Sequence, residues 1–120
     1  MAVVGLTERQ AKENGVDVIF GKFPFAALGR ALAGGEAEGY VKIVAERVSH
    51  KIIGAGAVGS HASDLISEMA LALRVGATLE DVATTIHPHP TLPEAWMEAA
   101  DAALGCPIHI LPARAPVTLV

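Results

Sequence analysis

Pro88, Pro90 and Pro93 fall within six residues. A proline holds φ near about −65° and offers no backbone N–H, so neither a helix interior nor a central strand can run through such a stretch. The chain must pass it as a stiff loop, between an amphipathic run that ends at Ile86 and a helical pattern that follows Thr91. The loop His87-Pro88-His89-Pro90-Thr91-Leu92-Pro93-Glu94 also carries two imidazoles and a carboxylate. Its prolines restrict the neighbouring residues as well, so these side chains are aimed rather than free to wander.

The rest of the chain reads as short strands and capped helices. Met1 to Leu6 is an apolar strand, and Thr7-Glu8-Arg9-Gln10 is a capping box opening a helix that Asn14-Gly15 ends. Val16 to Phe23 is a second strand, broken by Phe23-Pro24-Phe25, and residues 26–35 form a loop with one helical turn, punctuated by Gly34-Gly35. Gly39 to Glu46 alternates, with Val41, Ile43 and Ala45 on one face, and returns through the polar turn Arg47 to His50 into Lys51 to Val58, which predicts an antiparallel hairpin. His61 to Val75 is the longest helix, striped with Ala62, Leu65, Ile66, Met69 and Leu73 and stopped by Gly76; Leu71 lies off the stripe and suggests a second buried face. A second capping box, Thr78-Leu79-Glu80-Asp81, opens a short helix whose Leu79, Val82, Ala83 and Ile86 are expected to face inward. Thr91, Leu92, Pro93 and Glu94 read as N-cap to N3 of a final helix reaching about Ala103, with Gly105 after it. The expected fold is α+β, an antiparallel sheet of about four or five strands with helices packed mainly on one face.

Composition narrows the function. A chain of 120 residues builds one core, here residues 1–110 with a tail over 111–120. Hydrophobic residues make up 52%, mostly aliphatic, so part of that surface should be hidden against a partner. A net charge of −4 with no Lys/Arg cluster argues against nucleic acid, and the single Cys106 provides neither a disulfide framework nor a redox pair. No apolar run is long enough to span a bilayer and no signal peptide is seen, so no membrane partner and a cytoplasmic location are expected.

Three chemistries deserve weighing. Glu94, in the first turn of the helix after the loop, can accept a proton from one ring nitrogen of His89 and leave the other free as a base. The plainer alternative is that Thr91 and Glu94 form a capping box beside surface histidines. A metal on His87 and His89 lacks a third ligand, because His50, His61 and His109 are scattered, so no metal site is expected. Finally, Gly54-Ala55-Gly56-Ala57-Val58-Gly59 matches G-x-G-x-x-G, with Glu80 or Asp81 at about the right distance for a ribose ligand. Its strand pairs most easily as a hairpin arm and Glu80 sits inside a capped helix, so the glycines are expected instead to let the long helix lie close on the sheet.

The stretch from Ile86 to Glu94 resembles the signature of the C-terminal dimerisation domain of dihydrolipoyl dehydrogenase, in the pyridine-nucleotide disulfide oxidoreductase family. Val4-Gly5-Leu6-Thr7-Glu8, Phe23-Pro24-Phe25, Gly29-Arg30-Ala31 and His61-Ala62-Ser63-Asp64-Leu65-Ile66 agree with it in order, over about residues 2–110. Pro93 stands where the family is expected to carry a small hydroxyl residue. The resemblance implies a homodimer in which His89 is the acid/base for the dihydrolipoamide thiol and Glu94 its carboxylate partner. An unperturbed thiol is mostly protonated at neutral pH and must lose its proton to attack a disulfide, so such a pair has a use. FAD and NAD would lie on other domains, with no cofactor-binding residue in this chain and no activity expected of it alone. The chain is then a dissected domain, a truncated product, or a stand-alone dimerisation or interaction module; a small nucleotide-binding protein is the remaining alternative.

Overall fold

The computed structural model describes residues 1–29 and 38–105. The Gly34-Gly35 punctuation, Arg30 and Ala31, Cys106, His109 and the tail over 111–120 lie outside the described residues. The elements run β1 (Ala2–Gly5), α1 (Glu8–Glu13), β2 (Val18–Pro24), a 3₁₀ turn (Phe25–Ala27), β3 (Tyr40–Glu46), β4 (Ile52–Val58), α2 (Ala62–Val75), α3 (Leu79–Thr84) and α4 (Glu94–Ala103). The described strands form one sheet in the order β1-β4-β3-β2, with every neighbouring pair antiparallel. The α+β fold read from the sequence is the fold observed.

Local chemistry sets the ends of these elements. Thr7 and Gln10 close the expected capping box on α1, with Gln10 N–H donating to Thr7 Oγ1 at 3.1 Å and Thr7 N–H to Gln10 Oε1 at 2.9 Å. Thr78 and Asp81 repeat it on α3. Gly76 ends α2 at φ 70°, where its N–H and that of Ala77 turn back to the last helical carbonyls. β2 runs one residue further than the proline break predicts, because β2 is an edge strand and Pro24, opposite Tyr40, can stand at its end without an N–H to donate.

The two faces of the sheet are dressed differently. Val41, Ile43 and Ala45 of β3 join Ala55 and Ala57 of β4, Phe23 of β2, Met69 of α2, Leu79 of α3 and Trp96 of α4 in the main core. On the opposite face Val44 packs with Val18 and Ala11, so α1 covers that side near one end, and Lys42 Nζ donates to Glu8 Oε1 at 2.7 Å. That bond to Lys42 holds the Glu8 carboxyl below its ordinary range, against a smaller opposing effect of burial. Beyond α1 the face is a shallow groove of about 190 Å³ lined by Val3, Tyr40, Lys42, Gly56 and Val58 among others.

Three expectations need correction. Gly54 and Gly56 do not admit the long helix: a Cβ on Gly54 would lie 1.7 Å from the Leu6 carbonyl oxygen, and one on Gly56 would face Val3, so they make room for the chain around β1 while Ala55 and Ala57 face the core. Ile86 is 94% exposed rather than inward, because α3 ends at Thr84 and the chain leaves it extended at Thr85. Leu71 is likewise exposed, as is Val75 one turn on, so α2 buries a single face among the described residues.

The glycine that does admit a helix is Gly21, in the middle of β2. A Cβ there would sit 1.9 Å from the Ala99 carbonyl oxygen and 2.7 Å from the Ala103 nitrogen, both on α4. Backbone cannot yield as a flexible side chain can, so Gly21→Ala must lift α4 off the sheet. We expect it to cost at least about 2 kcal/mol in urea unfolding; a loss below about 0.5 kcal/mol would mean that α4 is not seated on Gly21.

Candidate functional site

The loop before α4 brings His89 and Glu94 together. His89 Nδ1 lies 2.8 Å from Glu94 Oε1, while Glu94 Oε2 accepts the Thr91 N–H at 2.8 Å. The His89 side chain is 77% exposed and that of Glu94 only 10%. A carboxylate accepts only, so Nδ1 carries the hydrogen, and in the neutral ring Nε2 is then the nitrogen that holds the lone pair. Nearly buried, the Glu94 charge is made tolerable by these donors and by its place in the first turn of α4.

The helix start differs in detail from the expected capping box. Regular helix begins at Glu94, after a tighter turn in which Ala95 and Trp96 donate to Leu92 and Pro93. The Thr91 hydroxyl does not cap it but donates to the Pro88 carbonyl at 2.6 Å. The proline run explains this: Pro88, Pro90 and Pro93 contribute carbonyls and no N–H groups, so acceptors outnumber donors and a hydroxyl is drawn to one of them. The Glu94 half of the box survives, and the same carboxylate that holds Thr91 N–H also orients His89. The two roles considered for Glu94 are compatible because they use its two oxygens. The His89–Pro90 peptide bond is cis.

His87 has a partner that sequence spacing did not suggest. Its Nε2 lies 2.7 Å from Glu68 Oε2 on α2 and its Nδ1 2.9 Å from the Thr85 carbonyl oxygen, with the side chain 4% exposed. Both ring nitrogens of His87 therefore face protein acceptors, and among the described residues no group of three or more potential ligands gathers around a metal position. His50 pairs instead with Glu80 across to α3, and His61 stands 3.9 Å from Asp64. Trp96, fully buried, was also not singled out from the sequence: its indole N–H donates to the Leu65 carbonyl at 2.9 Å and ties α4 to α2. Further along α4, burial pushes the Asp101 carboxyl up, and the buried Glu98 beside it adds to the shift.

The glycine-rich stretch lacks the strand pairing of a dinucleotide fingerprint. A dinucleotide fingerprint needs a parallel neighbour beyond its helix, whereas β4 is antiparallel to both β1 and β3 and the space over Gly54 is filled by Leu6.

An antiparallel sheet backed by α2, α3 and α4, with an exposed imidazole on a buried carboxylate at the head of α4, defines an α+β domain rather than a parallel dinucleotide-binding fold. Residues 1–100 match the family model described as pyridine nucleotide-disulphide oxidoreductase, dimerisation domain, and the chain belongs to that family. It is 56% identical over 110 residues to dihydrolipoyl dehydrogenase of Geobacillus stearothermophilus, covering 92% of this chain and 23% of the relative. Against the Bacillus subtilis enzyme of the same name the identity is 53% over 111 residues, with 92% and 24% covered. The chain thus spans about a quarter of the length of these curated relatives. Among solved structures, LpdA of Mycobacterium tuberculosis superposes with a TM-score of 0.76 at 28% identity, over 82% of this chain and 21% of that one. The HOCl-induced flavoprotein disulfide reductase RclA of Escherichia coli shares the fold, with a TM-score of 0.77 at 24% identity over 82% of this chain and 23% of that one.

A test of the shared carboxylate follows from its two bonds. Glu94→Gln leaves one acceptor oxygen for two donors. The Thr91 N–H should keep it, and the new amide N–H should force His89 to accept at Nδ1 and carry its hydrogen on Nε2. We expect a stability loss of about 1–2 kcal/mol and a switch of the His89 tautomer in imidazole ¹⁵N spectra. An unchanged tautomer would show that Glu94 does not set it.

Proposed function

We propose that this chain is the dimerisation domain of a dihydrolipoyl dehydrogenase-type flavin disulfide oxidoreductase, and that it supplies His89 as the acid/base for dihydrolipoamide, with Glu94 as the carboxylate that orients it. The observation that carries the reading is the 2.8 Å contact from His89 Nδ1 to a nearly buried Glu94, on a side chain that is itself largely exposed. In this reaction Nε2 takes the proton of a dihydrolipoamide thiol, and the thiolate attacks a disulfide held on another domain. Glu94, fixed by Thr91 N–H and by the packing of α4, keeps the hydrogen on Nδ1 throughout and faces the positive charge that the ring gains. The flavin and nicotinamide supply the electron acceptors and are held by the part of the protein that relatives carry beyond this domain. His87 has neither nitrogen free and takes no proton from substrate.

A homodimer is part of the same reading. It is supported by the family's dimerisation role and by the exposure of Leu71, Val75 and Ile86, which give α2 and the loop after α3 apolar surface that stands exposed among the described residues. The reading places His89 of one subunit at the disulfide of the other.

The catalytic assignment is tested by grafting residues 2–110 in place of the matching domain of a complete dihydrolipoyl dehydrogenase. His89→Gln should then cut turnover with dihydrolipoamide by about 10²–10⁴-fold, the usual contribution of a positioned base. Near-equal turnover of variant and parent would sink the assignment and leave the loop with a purely structural role.

A further inference from the structure

The His89–Glu94 pair is bracketed by two bonds to one turn of α2. Before it, His87 reaches Glu68; after it, Trp96 N–H reaches the Leu65 carbonyl, at 2.7 and 2.9 Å. Leu65 and Glu68 stand three residues apart, so the two anchors lie on neighbouring positions of the same helix face. His87 precedes His89 by two residues and Trp96 follows Glu94 by two, which leaves the reactive pair suspended between fixed points. The two anchors are buried at the loop end, the His87 side chain at 4% exposure and Trp96 at 0%.

The chemistry of the His87 contact makes it an anchor. A carbonyl oxygen only accepts, so the bond to Thr85 places a hydrogen on Nδ1. Nε2 then shares a proton with the Glu68 carboxylate, giving a charge-assisted bond across nineteen residues of sequence. On its own side the loop has few other donors, because Pro88, Pro90 and Pro93 have none. We propose that Glu68 is a positioning residue for the site: through His87 it fixes the loop so that His89 stays in line with Glu94. This rests on the acid/base reading of His89 only for its effect on turnover; the geometric claim stands apart from it.

The 120-residue chain tests the geometry directly. In Glu68→Ala, imidazole ¹⁵N spectra should show His89 moving from the Nδ1–H form to a mixture of tautomers, although Glu68 does not touch it. The Thr91 amide, bound to Glu94, should exchange with solvent at least about tenfold faster, while the Ile43 amide in β3 keeps its protection. If Glu68→Ala does not fold, Glu68→Gln carries the same readouts: it keeps a hydrogen-bond partner for Nε2 but loses the charge, and a smaller change of the same sign is expected. Unchanged His89 and Thr91 signals in a folded variant whose His87 signals have moved would overturn the proposal. In the grafted oxidoreductase, Glu68→Ala should lower kcat by between about 10- and 100-fold with KM changed less than about twofold. Added to His89→Gln it should cost nothing more, because both act through one imidazole; losses that multiply would mean that Glu68 acts elsewhere. Full activity of His89→Gln alone would overturn the acid/base reading, and the spectra of the chain would still decide the positioning claim.

Discussion

Glu94 holds two things that a proline-rich loop cannot hold for itself. With no N–H at Pro88, Pro90 or Pro93, the loop cannot build a ladder of backbone bonds, and its few donors must be used well. One carboxylate oxygen takes the Thr91 N–H and closes the loop onto α4; the other takes the His89 ring N–H and sets the tautomer. A charge with this little exposure would be costly without such partners, and several kcal/mol of desolvation are at stake for an unpaired one. The same bonds that make the buried charge tolerable thus aim the imidazole, and stability and the proposed chemistry depend on one group.

Glu94 is in turn only as well placed as α4. That helix lies on β2 because Gly21 has no side chain, and Ala99 and Ala103 of α4 stand directly over it. Trp96 then locks α4 to α2 by an indole bond to Leu65, one turn from the Glu68 that receives His87. Sheet, long helix and loop form a continuous support, so a disturbance as far from the imidazole as Gly21 is transmitted to the head of α4. Close-packed interiors transmit strain in this way because neighbouring groups have little room to absorb it.

The fold was legible where local rules act alone. Alternation in Gly39 to Val58 gave the hairpin, the two Thr boxes gave the starts of α1 and α3, and Gly76 gave the end of α2. The His89–Glu94 contact was legible too, because five residues separate its partners and the helix start fixes their geometry. What escaped were contacts between distant segments. Nothing in the spacing of Glu68 and His87 announces a bond, since it depends on how α2 meets the loop in space. Ile86 continued an apolar period that the extended backbone at Thr85 interrupts, and the glycines at 54 and 56 were assigned to the wrong face because a strand pattern does not say what crosses it. Gly21 with alanines at 95, 99 and 103 was a readable signal of close approach, small residues spaced by one helical turn opposite a glycine in a strand.

The central claim is that this domain presents His89 to a partner subunit. Subunit mixing tests it most directly, in a complete dihydrolipoyl dehydrogenase carrying residues 2–110 of this chain. One protomer would carry His89→Gln and the other an alanine in place of each redox cysteine of its flavin domain, so that neither homodimer turns over appreciably. The hybrid has one site with intact cysteines, and that site lies in the protomer whose own His89 is gone. If His89 acts across the twofold interface, mixing restores dihydrolipoamide turnover in proportion to the hybrid formed. Hybrid dimers that form and remain inactive would contradict the account.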